Sequence, residues 1–412
     1  MVDATRGSAL DEWRQFGAVP VVAAVGIACS MSAVYSLGAL MPAIQATTGW
    51  SRAEISSGPT LLTVAAILFG PAMGSFIDRV GSRLIALLGL VAFCTALACL
   101  SLVSRDIAGW WVGWFALAFG YVAIKPTVWT AAVVHRFKVG RGLALGVALS
   151  GTGICSAIAP ITATLIESKV GWQSTYAWLA GGLALVTLPL TWTFLTSDRK
   201  SDGKAAIGKV NDDLGTPGRW ANVRSSRFLL MAAACFLSTF PSAALIVHFV
   251  PLEIAQGMSP RAAAAVATLL GLSTIVGRVV TGLALDRVEA NIVGAVSALL
   301  AVAAAVALLL ATGAGGAAAG AVLLGLSVGA ELGVLAYMIP RFFGLQHFGF
   351  LFGVMSTILS TALGIGPLVA GYAYDVSGSY TAFLIAALPA FAAAGFCFFI
   401  VGNPQPDRPS FG

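Results

Sequence analysis

Charge is what this chain has least of. Only 10% of its 412 residues are charged, against roughly 25% in an ordinary soluble protein, while 58% are hydrophobic and the mean hydropathy is +0.91. That balance excludes a soluble globular core. Metal-ligand spacing is missing as well: there is no CxxC and no Cys/His cluster, and the six cysteines (Cys29, Cys94, Cys99, Cys155, Cys235, Cys397) all fall in apolar runs, where they read as small buried residues. No Ser/His/Asp set or phosphate loop stands out and the polar residues are scattered, which points away from an enzyme and from any cofactor or metal. The absence of a long soluble sensory segment argues against a receptor.

What is present is a series of apolar runs near the ~20 residues needed to cross a hydrocarbon core. Twelve are expected, near 18–42, 54–77, 84–103, 110–134, 142–166, 173–195, 228–251, 262–285, 292–312, 317–339, 349–373 and 380–401. In lipid each must satisfy its own backbone hydrogen bonds, so the fold class is an all-α integral membrane protein. The first run lacks the small-residue cleavage site of a signal peptide and is expected to be a retained span. Trp110, Trp111 and Trp114 at the start of span 4 read as an interfacial belt.

Basic residues set the expected orientation. With the N-terminus inside, 17 of the 23 Lys and Arg fall in cytoplasmic segments, 4 outside (Arg52, Arg105, Lys169, Arg261) and 2 within spans. Both termini are therefore expected in the cytoplasm, and the net charge of +6 is topology, with no nucleic-acid partner.

The chain also repeats. GSFIDRV (74–80) matches GLALDRV (282–288) at an offset of 208, and Gly142, Gly146, Pro160 and Gly171 match Gly349, Gly353, Pro367 and Gly378 at 207. The polar segment DRKSDGKAAIGKVNDDLGTPGRWANVRSSR between spans 6 and 7 reads as a cytoplasmic linker. The expected domains are 1–196, a six-helix bundle; 197–227, the linker; and 228–412, a second six-helix bundle.

A parallel duplication of six spans resembles the major facilitator superfamily, and GSFIDRVGSR (74–83) is similar to its signature between spans 2 and 3. The resemblance implies two pseudo-symmetric bundles around a midplane site. It also implies a gating cluster of Gly74, Asp78, Arg79, Gly81 and Arg83, echoed at Asp286 and Arg287. His248-Phe-Val-Pro251, Gly277-Arg278, Arg341-Phe-Phe-Gly344 and GPLVAGYAYDVSGSY (366–380) resemble the bacterial monocarboxylate-transporter-like branch, which includes the oxalate and formate exchangers. Animal members carry a lysine in span 1, where GIACSMSAVYSLGAL has no charge, and an aspartate one turn before the span 8 arginine, where this chain has Thr274.

Three ionisable residues lie deep in spans: Lys125, Arg278 and Glu331. A central Lys, Arg or Asp costs about 2.5–3.5 kcal/mol on insertion scales, so each needs a reason. Lys125 has Tyr121 one turn away and Pro126 beside it; it is read as a substrate ligand, with pairing to Glu331 as the alternative. Arg278, flanked by Thr274 and Thr281, is read as an anion fork. Glu331 is either a proton-coupling carboxylate or the counter-ion of Arg278. Tyr35, among Ser30, Ser32 and Ser36, is a further substrate candidate. His248 reads as bonding locally. Together these imply a monomeric secondary active transporter of the inner membrane that moves a small organic anion, a mono- or dicarboxylate, by proton symport or anion exchange. The lipid bilayer, the anion and protons are its expected partners. An efflux carrier for apolar or cationic compounds is the alternative.

Overall fold

The structure, a computed structural model, describes residues 9–137, 139–195, 219–310 and 313–402; the side chains of 9, 70–79, 82, 135, 219, 345, 346, 348 and 349 lie outside the description. Apolar composition leaves the backbone no partner but itself, and among the described residues helices are the only regular structure. In chain order they are α1 (Ala9–Phe16), α2 (Ala18–Thr48), α3 (Arg52–Val80), α4 (Ser82–Cys99), α5 (Ile107–Ile124), α6 (Pro126–Arg136), α7 (Arg141–Leu149) and α8 (Gly151–Phe194). After the polar segment come α9 (Arg219–Val223), α10 (Ser226–Ala255), α11 (Pro260–Leu285), α12 (Ala290–Leu310), α13 (Ala314–Phe343), α14 (Leu345–Ser377) and α15 (Thr381–Val401).

Among the described residues, ten stretches are long and apolar enough to cross a membrane. One of them, 141–194, crosses twice: Gly171 adopts φ 78 and ψ 165 in the middle of α8, a left-handed conformation that only glycine adopts readily, and the chain turns back there. The remaining crossing is α3, whose 29 residues span about 44 Å at 1.5 Å per residue. The twelve crossings are thus α2, α3, α4, α5 with α6, the two arms from α7 to the end of α8, and α10 to α15. The face that carries α1 and α9 is called the near face below, and the opposite one, with Gly171 and the 256–259 turn, the far face.

Short helices precede the first crossing of each half, and they extend the repeat: Trp13 and Trp220 stand 207 residues apart. Trp13 packs edge-on to Phe137 and Trp220 to Phe350, so each short helix is tied by its tryptophan to its own half. Glu12 of α1 accepts from the Val139 and Gly140 amides, at 3.1 and 2.9 Å. The residues expected as the end of a linker, 219–223, therefore form part of the second half's near face.

Tryptophan placement departs from the sequence reading. Trp110 and Trp114 are fully buried, packed with Trp172 and Tyr176 inside the first half, and Trp110 donates to the Ile55 carbonyl at 3.3 Å. Only Trp111, 45% exposed, is placed as a belt residue. For Trp110 the indole N–H finds a carbonyl that lets the ring enter the core, whereas the Trp114 indole is buried without a partner and is held by ring packing on Trp110. Cys99 is likewise exposed, while Cys29, Cys94, Cys155 and Cys235 are buried.

The two halves meet along three helix pairs, α2 with α10, α3 with α14, and α8 with α11. Small residues permit the contact. A Cβ on Gly271 would lie 2.2 Å from the Ala157 amide nitrogen, and one on Gly38 would meet the Val247 carbonyl oxygen at 2.0 Å. Hydrogen bonds follow: Thr268 donates to the Ala157 carbonyl at 3.0 Å, Thr60 to the Gly364 carbonyl at 2.7 Å, and Asp375 accepts from the Arg52 and Ala53 amides at 2.9 and 2.8 Å. These inter-half hydrogen bonds lie between the far face and the level of Arg278. Nearer the α1 face, Gly142, Gly146 and Gly353 have open space where a Cβ would project. Among the described residues the two halves are closed against each other at the far face and parted at the near face.

Of the gating cluster, the side chains of Gly74, Asp78 and Arg79 lie outside the description. Gly81 has φ 92 and starts α4, and Arg83 donates to the Trp192 carbonyl at 2.7 Å with its guanidinium over that ring, a contact within one half. Asp286 and Arg287 are exposed beyond α11.

The interface predicts a contrast. Gly271→Val should overpack α8 against α11 and destabilise the protein by about 1–3 kcal/mol. Gly142→Ala should leave thermal unfolding in detergent unchanged within about 0.5 kcal/mol, as expected of an open site.

Candidate functional site

Span 4 does not merely kink at Pro126; it breaks. Proline clashes with a helical residue before it, and Lys125 accordingly takes φ −62 and ψ 160, an extended backbone between α5 and α6. Pro126 begins α6, where its missing N–H is no loss. The break leaves carbonyls without helical partners. Lys125's own carbonyl accepts from Val128 at 3.0 Å, and the Ile124 carbonyl accepts from the Trp129 indole at 2.7 Å. The buried Trp129 ring lies against Gly26 of α2, where any side chain would collide with it. Local sequence thus builds a stable discontinuity at membrane depth.

The discontinuity presents positive charge twice over. Lys125 is half-buried, with no hydrogen-bond or ion-pair partner among the described residues, and the N-terminal end of the 11-residue α6 begins beside it. A helix N-terminus carries about half a positive charge, which adds to that of the ammonium. Tyr121 sits one turn away at the end of α5.

Arg278, on α11 in the other half, reaches across the interface. Its Nη1 donates to the Leu149 carbonyl and to Thr152 Oγ1 at 3.2 Å, while Nε is buried without a partner. Tyr35 of α2 lies within electrostatic reach of Arg278, Tyr121 and Cys155. Four helices therefore bring Tyr35, Tyr121, Cys155 and Arg278 into one neighbourhood, with Lys125 a turn nearer the open face.

Other expected partners are not joined. Glu331 is 9% exposed and accepts a hydrogen bond from Thr239 of α10, inside the second half; it pairs with neither Arg278 nor Lys125. The counter-ion role is thus unfilled in this conformation: the Arg278 guanidinium is turned toward the first half, where Nη1 donates to the Leu149 carbonyl and Thr152. Thr274 faces α13, where Gly325 and Gly329 pack on its backbone, and its hydroxyl is turned back to the Leu270 carbonyl at 2.9 Å. Thr281 faces an apolar cavity of about 290 Å³ between α11, α12 and α13. The threonines flanking Arg278 consequently do not form a polar stripe with it. Ser30, Ser32 and Ser36 are also buried and bonded to carbonyls of their own helix.

Two residues that sequence reasoning passed over join the halves at the far face. Arg52, counted only as an external basic residue, is 8% exposed, stacks 3.5 Å from the Tyr374 ring centroid and donates to Tyr380 Oη at 2.5 Å. Asp375 caps the start of α3 through the two amides described above. Both lie in or opposite the motif GPLVAGYAYDVSGSY, which was the available signal.

Two packed six-crossing helical halves, closed against each other at one face, have the architecture of a membrane transporter. The chain belongs to the Major Facilitator Superfamily, which it matches over residues 23–329. Among curated proteins it is similar to Monocarboxylate transporter 13 of Rattus norvegicus, 29% identical over 358 residues, covering 81% of this chain and 76% of that one. It also resembles Monocarboxylate transporter 12 of Homo sapiens, 26% identical over 50% of this chain and 43% of that one. The Agnestins efflux protein of Paecilomyces divaricatus is 24% identical over 72% of this chain and 66% of that one. Solved structures of the same fold include a variant of the nucleoside transporter NupG, with TM-score 0.75, 12% identity and coverage of 93% of this chain and 98% of that one. Another is a bacterial homolog of the human lysosomal transporter Spinster in an inward-facing, unoccupied conformation, with TM-score 0.65, 14% identity and coverage of 96% and 95%.

The break depends on one indole. Trp129→Phe should keep the ring's packing but strand the Ile124 carbonyl, lowering stability by about 1–3 kcal/mol. Thermal unfolding of the purified variant measures it, and an unchanged midpoint would show that the carbonyl finds another donor.

Proposed function

We propose that this chain is a secondary active transporter of small organic anions, mono- or dicarboxylates, that works by alternating access in a bacterial inner membrane with both termini cytoplasmic. The observation that carries the reading is the unpaired ammonium of Lys125 at a broken helix in one half, with the Arg278 guanidinium entering from the other. The near face is then the cytoplasmic one, so the conformation described is open inward. The basic residues of the near-face segments support that assignment through the positive-inside bias.

A carboxylate supplies what the site lacks. Arginine's planar fork donates to two carboxylate oxygens in parallel, while the ammonium and the two tyrosine hydroxyls offer further donors. Because Lys125, Tyr121 and Tyr35 belong to one half and Arg278 to the other, an anion touching both sets draws the halves together. Closing around unpaired positive charge is costly in a low-dielectric interior, and a bound anion offsets that charge. The loaded carrier therefore closes at the near face more readily than the empty one, which is the coupling that alternating access needs. Proton symport and anion exchange both use this step. The monocarboxylate transporter relatives fit the same substrate class.

A second reading, efflux of apolar or cationic compounds, is favoured by one observation: Glu331 is a buried carboxylate with a single hydroxyl partner, and one relative is an efflux protein. Loss of resistance to toxic compounds in Glu331→Gln, without anion uptake by the parent, would select it.

Uptake of labelled mono- and dicarboxylates into proteoliposomes tests the main reading. A charge-assisted hydrogen bond contributes about 1.5–3 kcal/mol, so Lys125→Ala and Arg278→Ala should each lower uptake by about 10- to 100-fold. Parental uptake in both variants would sink the charge argument.

A further inference from the structure

The closed far face contains a buried polar chain that the anion site does not use. His248 of α10 is 1% exposed. Its Nε2 lies 2.9 Å from the Pro367 carbonyl oxygen and 3.1 Å from Ser56 Oγ, and its Nδ1 lies 2.7 Å from Tyr380 Oη. A carbonyl oxygen only accepts, so Nε2 carries the hydrogen, and in the neutral ring Nδ1 must accept. Tyr380 then donates to Nδ1 while accepting from Arg52. The donors run one way, Arg52 to Tyr380 to His248 to Pro367, from the first half into the second. The Arg52 and Ala53 amides are fastened to Asp375 alongside.

We propose that His248 is a proton site governing the far-face gate: the gate closes on the neutral ring, and a proton taken from water on the far side holds it open. A protonated imidazole has two N–H donors and no acceptor. Its new N–H would point at Tyr380 Oη, and the phenol hydrogen would lose its only acceptor among the described contacts. A second cation would also join Arg52 in a space closed to water.

Among the surrounding charged and titratable groups the Asp375 carboxylate offsets this only in part, and the Arg52 guanidinium opposes the imidazolium more strongly. Arg52 comes from α3, Tyr374 and Asp375 from α14, and Tyr380 from the start of α15, with Asp375 already engaged by two amides. From α2 comes the Gly38 backbone, packed on Val247, with Tyr35 about a turn deeper. Glu253, five residues along α10, is buried with neither carboxylate oxygen bonded. In the open state the ring meets water, which hydrates the imidazolium freely. The proposal rests on the alternating-access reading of the two halves and is independent of the anion class.

Hydrogen exchange tests it, since the inter-half bonds to Asp375 protect two backbone amides. The full chain in lipid nanodiscs is followed by mass spectrometry on peptides covering 50–56 between pH 7.5 and 5.5, with intrinsic exchange divided out. The free imidazole titrates near ~6.5, and one-proton linkage sets a ceiling of about tenfold per pH unit, so parental protection should fall toward that slope at acid pH. His248→Gln keeps an amide donor for Pro367 and should show no slope; His248→Asn serves if the glutamine variant does not purify. Tyr380→Phe should lose protection at every pH. A flat parental profile, or an unchanged slope in the His248 variants, overturns the proposal. Anion uptake is scored separately: a slope without uptake rejects the transport reading alone, and uptake with a flat profile rejects the gate alone.

Discussion

A peptide group inside a hydrocarbon layer has no water to bond, and everything in this fold answers to that condition. It makes each crossing helical, turns most buried serine and threonine hydroxyls back onto their own helices, and brings the Trp110 and Trp129 indoles to the Ile55 and Ile124 carbonyls. The same condition makes the interruption at Lys125 informative. An extended residue between two helices at membrane depth survives because Pro126 needs no acceptor, Val128 takes the Lys125 carbonyl and Trp129 takes that of Ile124. With the backbone satisfied, the cost that remains is that of the side-chain charge. On the proposed reading, that cost falls when an anion binds.

The way the halves meet follows from packing without a hydrophobic driving force. Between apolar helices in lipid, close approach needs small residues and shared polar contacts. The far-face seam has both: glycines at the α8–α11 and α2–α10 crossings, and the Arg52, Asp375, His248 and Tyr380 chain at the α3–α14 end. The near face has the glycines without the contacts, at Gly142, Gly146 and Gly353. Gly146 and Gly353, which match at the repeat offset, thus both have open space in this conformation.

Twelve crossings and a duplicated unit were legible because both leave long-range signals, apolar length and a fixed offset, that survive sequence drift. Side-chain partnerships were less legible. Arg278 and Glu331 looked like a pair by charge and depth, yet helix rotation turns one toward the first half and the other toward Thr239. Thr274 sits one turn from Arg278, but the Gly325 and Gly329 surface of α13 claims that face. Trp110 and Trp114 fitted an interfacial pattern and are core residues. Arg52 was hidden by the positive-inside rule itself, which counts a basic residue without asking whether it is stacked. In each case the missing information was which way a helix faces, and an apolar helix has too weak a polar stripe to reveal it.

The repeat gives the remaining step. At the offset of 207, Lys125 corresponds to Leu332 and Glu331 to Ile124, so neither charge belongs to the shared scaffold. Backbone follows side chain: span 4 is broken at Lys125, whereas α13, its counterpart, runs without interruption from Ala314 to Phe343. The symmetric features, the short tryptophan helices and the glycine positions, serve the motion common to both halves. The asymmetric ones, a broken cationic helix on one side and a buried acid with an arginine on the other, cannot serve that motion equally, since rocking would exchange their roles. On the proposed reading they bear on what is carried. The far-face chain of Arg52, Asp375, His248 and Tyr380 is likewise unduplicated, so departures from the repeat mark both the proposed solute site and the proposed gate, while the repeated helices and glycines supply the framework on which the two halves move.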